Sequence, residues 1–354
     1  MTQTGNWFFA LLRFALWGTT DGLPQQLDAE TVEDILYEAG DQTVTGLVAD
    51  ALMNSGVQIP PSLIPKLYGT TFKVEMANEQ FNNGLKEFVG LGIPDYAVVK
   101  GQTIAALYPK PALRKPGDID FIVRDYALAR TILSEKWQVE LPERLIEKEF
   151  AFVHNNIDYE IHDALIAFGS KRNQQFWDNL MQRPFSTVQV ADTQVCTLEP
   201  TLYAVYVFIH LFFHFLREGI GIRHLCDWAI VLHHYRDQIN KEELNNILRR
   251  LDFIDAYRAF GAILVKYLGI NCFPLPLDDS DFQWAEQVLP DILHGGNFGK
   301  NIKRGHSSDL AVKLETFRRT LRVSVRYRKL APTEINRLVL KLIRVNLRLL
   351  FATK

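Results

Sequence analysis

Residues 114–123 read RKPGDIDFIV. From Asp118 to Val123 polar and apolar residues alternate, the two-residue period of a strand with one buried face. Ile119, Phe121 and Val123 therefore face one way, and Asp118 and Asp120 share the other. Two carboxylates that close repel each other when both are ionised. A divalent cation between them removes the repulsion, and hard oxygen ligands of this kind suit Mg²⁺. A fold that contains this strand must therefore leave room and compensating charge on one of its faces.

The same alternation recurs in IDYEIHDAL, residues 157–165. Ile157, Tyr159 and Ile161 form one face, and Asp158, Glu160 and His162 the other. If the two strands are neighbours, Glu160 or Asp158 completes a cluster of three carboxylates. Such a cluster holds two metals about 3.5–4 Å apart, an arrangement that serves in-line displacement at phosphorus. His162 is placed either as a general base or as the partner that orients Glu160. Upstream, VVKGQ at 98–102 ends one strand and opens a helix, where glycine lets backbone N–H groups approach a phosphate. Lys100 adds a point charge there. Arg114 offers charge for a leaving group, and Gly117 precedes the acid pair. Asp279 and Asp281 are also two apart, but they sit in FPLPLDDSD without apolar alternation and read as a solvated loop.

The segments order as helices, then a small mixed sheet, then helices, an α+β arrangement rather than regular βαβ alternation. The expected division is an N-terminal helical segment over 1–92, a sheet domain over 93–198, a helical domain over 199–275 and a basic helical tail over 276–354. A helix capped by Asp28 and a long helix after Pro60–Pro61 precede the sheet. Within the sheet domain, QTIAALY reads as a helix, Asp125 caps another, and Asn155-Asn156 turns a hairpin. The apolar start NWFFALLRFALWG lacks a basic leader and a small-residue cleavage site. It reads as a helix docked on the core, too short to span a bilayer.

At 354 residues the chain is long enough for two or three modules. Its net charge of −2 hides an asymmetry. From Lys300 onward there are 15 Lys or Arg against 3 Asp or Glu, so the tail carries +12 and the rest −14. Arg318, Arg319, Arg322, Arg326, Arg328 and Lys329 fall in one helix with Leu321, Val325 and Leu330 as an apolar face. RNA contact, an anionic membrane surface and docking on the acidic body are the three readings; docking satisfies most charge at least cost. Cys196, Cys226 and Cys272 are too scattered for a zinc site or a disulfide framework, which fits a reducing cytoplasm.

The segment YAVVKGQTIAALYPKPALRKPGDIDFIV resembles the signature of the uncharacterised nucleotidyltransferase family, within the DNA polymerase β-like nucleotidyltransferase superfamily. QTVTGLVADAL, IDYEIH and HFLREGIGIRHLCDW extend the likeness along the chain. The resemblance implies transfer of a nucleoside monophosphate from an NTP to an acceptor hydroxyl, with release of pyrophosphate. It implies two Mg²⁺ ions, with Mn²⁺ as the alternative, and Asp118, Asp120 and Glu160 as the catalytic metal ligands. Gly101 matches the turn glycine, whereas Gln102 stands where many members have serine. Lys100, Gly101, Gln102, Arg114 and Gly117 then form the nucleotide-binding set. The acceptor, whether sugar, other small molecule, lipid, protein or RNA, is not specified by these residues. A non-catalytic nucleotide-binding or scaffold protein of a surface-polymer pathway is the competing class, and tRNA-directed transfer a third.

Other polar residues have two readings each. His210 and His214, four apart on an apolar helix, suit metal ligation or, more commonly, hydrogen bonding in a helix interface. His214, Arg223 and Asp227 line the cleft if the helical region covers the nucleotide. Arg223 then holds phosphate or pairs with Asp227 at i+4. Phe208, Phe212, Phe213 and Phe215 cover too much of one helix to be anything but core.

Overall fold

The computed structural model describes residues 2–145, 149–300 and 309–352; Lys303, Arg304 and Lys354 of the basic tail lie outside them. The apolar start forms α1 (Gln3–Trp17), with Phe8, Phe9, Leu11 and Leu12 buried. Asp28 caps α2 (Ala29–Asp41) by accepting from the Thr31 amide at 2.8 Å. After α3 (Thr45–Asn54) comes α4 (Ile64–Gly90). It buries Leu67, Thr71, Val74, Asn78, Leu85 and Phe88 along one stripe.

Alternation then takes over. β1 (Tyr96–Val98), β2 (Ile119–Val123), β3 (Glu149–His154) and β4 (Ile157–His162) form one sheet in the order β1-β2-β4-β3. β2 and β4 run parallel, and both outer strands pair antiparallel. Asn155 and Asn156 turn the β3–β4 hairpin with φ of 50° and 60°, as a two-residue turn between twisted strands requires. QTIAALY yields only the short α5 (Gln102–Ala105), whereas α6 (Tyr126–Trp137) is capped by Asp125 as expected. α7 (Lys171–Leu180) precedes a separate hairpin of β5 (Ser186–Val190) and β6 (Thr193–Thr197).

The apolar face of the four-stranded sheet, with Ile119, Phe121, Tyr159 and Ile161, packs in a core shared with α4 and α6. Its other face looks toward the helices that follow. These are α8 (Pro200–Arg217), α9 (Ile222–His234), α10 (Lys241–Leu251), α11 (Ile254–Ile263) and α12 (Asp279–Gly295). α13 (Asp309–Arg326) and α14 (Pro332–Ala352) complete fourteen α-helices among the described residues, a mixed α+β fold. α1, α2, α3 and α8 to α12 contribute to one continuous apolar core. No helix of the described residues is long and apolar enough to cross a membrane.

Two expectations need correction. Asp279 and Asp281 are not in a solvated loop: Asp278 caps α12 in a capping box with Asp281, and Arg258 bonds both Asp278 and Asp281. The aspartates are close in sequence because a helix N-terminus favours acids. The basic cluster is not all in one helix: α13 ends at Arg326, and Arg328, Lys329 and Leu330 fall in the turn after it. The buried residues are Val323 on the helix and Tyr327 and Leu330 in that turn, and Val325 is exposed. Arg319 is buried and donates to the carbonyls of Phe215 and Arg217 at the end of α8, and Arg326 pairs with Asp291 of α12. Arg318, Arg322, Arg328 and Lys329 stay exposed.

The aromatic block of α8 is buried in the core. Phe208 meets the rings of Phe212, Trp228, Tyr257 and Phe260 and has no exposure. Phe208→Ala is expected to cost about 3–5 kcal/mol in urea unfolding, because a cavity of that shape cannot collapse.

Candidate active site

The parallel pairing of β2 with β4 sets Asp120 directly opposite Glu160, and Ile122 opposite His162. Asp120, Glu160 and His162 each present one ligand atom within 4.8 Å of the others. Asp120 is wholly buried. Its Oδ1 receives the Lys100 ammonium at 2.8 Å and His162 Nε2 at 2.9 Å. Its Oδ2, equally buried, has no hydrogen-bond partner. A buried carboxylate oxygen without a donor is costly unless a ligand supplies the missing charge. With Glu160 beside it, two carboxylates stand side by side, hard oxygen donors that fit a divalent cation, while His162 Nε2 gives its N–H to Asp120.

Asp118 stands just before β2, outside the regular strand ladder, and lines the cleft. It does not join the tight group, which His162 completes instead. Asp118 nonetheless shares the field: the neighbouring Asp120 charge and burial raise its carboxyl above the ordinary range. Asp158 shares the face of Glu160 but is exposed and does not line the cleft. Burial, with Asp120 next in effect, pushes the Glu160 carboxyl up to about 8. Asp120 moves the other way. Burial opposes its charge, but Lys100 and His162 outweigh burial and hold it well below the usual carboxylate range. Lys100 also touches His210 Nε2 at 3.2 Å. An ammonium can only donate, so His210 accepts on Nε2, and burial beside that cation keeps its imidazole neutral. The hydrogen-bonded reading of His210 is thus the one that the contact supports.

Lys100 reaches Asp120 because Gly101 turns the chain sharply. Gly101 has φ +61°, and a Cβ there would lie 2.7 Å from the Asp118 carbonyl. Gln102 points away from the cleft: its side-chain amide bonds Asn82 and Asn78 of α4. Asn78, buried in the apolar stripe of α4, donates to the carbonyls of Ala112 and Arg114. It thereby fixes the loop that leads into the acid pair. Sequence reasoning passed over Asn78, although an Asn in register with Thr71 and Val74 on a buried helix face is itself a signal.

Arg114 and Asp227 form a buried two-pronged ion pair, with Nε–Oδ1 2.8 Å and Nη2–Oδ2 2.7 Å, and Tyr108 donates to the same carboxylate at 2.7 Å. Asp227 therefore pairs with Arg114 across the fold rather than with Arg223 four residues before it. Arg223 donates to the Lys115 carbonyl and sits close to Gly117. Arg114 Nη1 and Arg223 Nε are buried without partners, and both side chains line the cleft. Burial and the like charge of Arg114 push the Arg223 guanidinium down from its ordinary value. The cleft, about 670 Å³, thus has an acidic floor and a cationic wall, with His214 on the α8 side. His214 bonds Glu218 four residues on, at 2.9 Å.

The raised Glu160 carboxyl has a consequence for stability. The folded chain keeps a proton on Glu160 that the unfolded chain releases near 4.5. Stability therefore falls as pH rises from about 4.5 to about 8 and levels above that. Glu160→Gln removes this slope. In metal-free buffer its urea midpoint is expected to gain on the wild type steadily from about pH 5 to about pH 8, and a saturating divalent ion should flatten the wild-type curve.

No curated protein and no solved structure matches the chain. Residues 28–269 match the family described as uncharacterised nucleotidyltransferase, and that span runs from the cap of α2 past the end of α11, with every acid and arginine of the cleft inside it. The chain belongs to the uncharacterised nucleotidyltransferase family.

Proposed function

We propose that this chain transfers a nucleoside monophosphate from an NTP to an acceptor hydroxyl and releases pyrophosphate. The observation that carries this reading is the buried Asp120 carboxylate, one oxygen unpartnered, beside Glu160 of a cleft whose lining also holds two guanidinium groups, each with one buried nitrogen unpartnered. In the reaction the acceptor oxygen forms a bond to the α-phosphorus as the bond to the bridging α–β oxygen breaks. The hydroxyl proton leaves, and the electron pair departs with pyrophosphate.

Asp118, Asp120 and Glu160 would hold the divalent cation, Mg²⁺ or Mn²⁺ and two ions by expectation. When bound, it supplies charge neutralisation for the attacking and leaving oxygens. Lys100 holds Asp120 ionised and in place, and has one N–H left over for a phosphate oxygen. Arg114 Nη1 and Arg223 Nε offer donors to the charge that grows on the leaving group, with Asp227 keeping the Arg114 plane fixed. Gly101 and Gly117 leave the backbone open to close approach by phosphate. His162 orients Asp120 and stands near Glu160, placed to take the acceptor proton or to pass it toward Glu149, 3.5 Å from its Nδ1. Most of the rate gain would come from positioning and charge compensation.

The test is incubation of the protein with each of the four α-³²P-labelled NTPs, Mg²⁺ and a cell extract. Label should move to an acceptor with the wild type. Asp118→Ala with Asp120→Ala should reduce it at least about 100-fold, as should EDTA. Retention of label in NTP under every condition, with divalent affinity no better than that of the double variant, would leave a non-catalytic member of the family.

A further inference from the structure

Three rings on one side of the cleft have no part in the chemistry above. His214 of α8 and His224 of α9 both pack against Phe298, with ring centroids at 5.2 and 5.5 Å and the planes near perpendicular. All three line the cleft that contains Glu160 and Arg223. Phe298 holds φ 50° and ψ 38°. A large aromatic residue rarely adopts this left-handed conformation, and the strain persists only where surrounding structure imposes it. The short turn that carries Phe298 follows α12, so the ring comes to the cleft from far along the chain.

The polar edges of this wall are also defined. His214 Nδ1 faces a Glu218 carboxylate oxygen, and His224 Nδ1 faces the Gly221 carbonyl at 3.4 Å. Carbonyl and carboxylate oxygens only accept, so both Nδ1 atoms carry the proton and the ring atom left to meet a ligand is Nε2. The wall is joined to the acid cluster by a short chain of contacts. Lys100 touches His210, and His210 stacks edge-on with His214 at 4.4 Å between centroids. Phe298 lies one ring beyond.

We propose that Phe298, His214 and His224 form the subsite for the nucleobase of the NTP. The inference rests on the nucleotidyl-transfer reading and adds to it the side of the cleft on which the base lies. The aromatic wall takes the flat base by ring contact, and the His Nε2 atoms face its polar edge, while the triphosphate extends toward Arg114 and Arg223.

The test is equilibrium binding of the full chain, with Mg²⁺, to non-hydrolysable α,β-methylene analogues of the four NTPs and, separately, to inorganic tripolyphosphate. The wild type should bind at least one nucleotide more tightly than tripolyphosphate. Phe298→Asn should remove about tenfold of that nucleotide affinity, within the range for ring–base stacking, and leave tripolyphosphate binding unchanged. Asn tolerates the left-handed conformation, so the variant keeps the turn, and a urea midpoint measured beside the binding separates lost stacking from lost fold. Phe298→Tyr keeps the ring and should keep the preference. An unchanged ratio of nucleotide to tripolyphosphate affinity in Phe298→Asn would overturn the base subsite while leaving nucleotidyl transfer intact. Tripolyphosphate and nucleotide bound equally by the wild type would also overturn it. No binding of either ligand would overturn the subsite together with the reading beneath it.

Discussion

The structure depends on a negative charge at Asp120 that water cannot reach. Removing a carboxylate from water costs several kcal/mol unless positive charge and hydrogen bonds replace it, on the order of the whole stability of a domain. Here the replacement comes from two different elements. Lys100 arrives from the turn after β1, and His162 from the end of β4. The Lys100 turn in turn requires Gly101, because any side chain there would strike the Asp118 carbonyl. His210 of α8 closes the set on the other side of the ammonium. One buried charge therefore holds the sheet, the β1–α5 turn and the central helix α8 in a single arrangement.

A second buried ion pair fixes the opposite wall. Arg114 belongs to the loop before β2, and Asp227 to α9. Tyr108 and the Asn78 contacts to the same loop remove most of its remaining freedom. Burial disfavours both charges, and their mutual attraction outweighs it, so Asp227 stays below the usual carboxylate range and Arg114 above its ordinary value. Such a pair adds little net stability compared with apolar packing, but it specifies one geometry. What it specifies here is the position of Arg114 Nη1, beside Arg223 and across from the acids. The two sides of the cleft are set by separate pairs, and each pair leaves one buried atom, Asp120 Oδ2 and Arg114 Nη1, without a hydrogen-bond partner.

The basic tail belongs to the same economy of charge. α13 and the turn after it dock through Val323, Tyr327 and Leu330, with Arg319 bonded to the carbonyls that end α8. The helix is amphipathic in composition, but its apolar positions alone misplace the buried face. Arg319 and Thr320 are buried because backbone carbonyls at a helix end need donors. Local hydrophobicity does not encode that demand.

What the chain's sequence determined by itself is what is periodic or local. The alternation in Ile119–Val123 and Ile157–His162 placed Asp120 and Glu160 on the polar face of their strands, although Asp118 falls just outside its strand, and the caps at Asp28 and Asp125 and the Asn155-Asn156 turn are short-range hydrogen-bond and φ preferences. That the two strands are neighbours was only a condition in the sequence, and their parallel pairing was not legible there. Alternation alone left Glu160 and Asp158 open, since a shift of two residues exchanges them without changing face; only the family resemblance pointed to Glu160. Only the tertiary structure decided that Asp227 meets Arg114 instead of Arg223, that Gln102 turns to α4, that His162 rather than Asp118 completes the tightest group, and that Phe298 reaches the cleft. Each of these pairs residues from separate elements, and the burial that selects between partners exists only after the elements have packed.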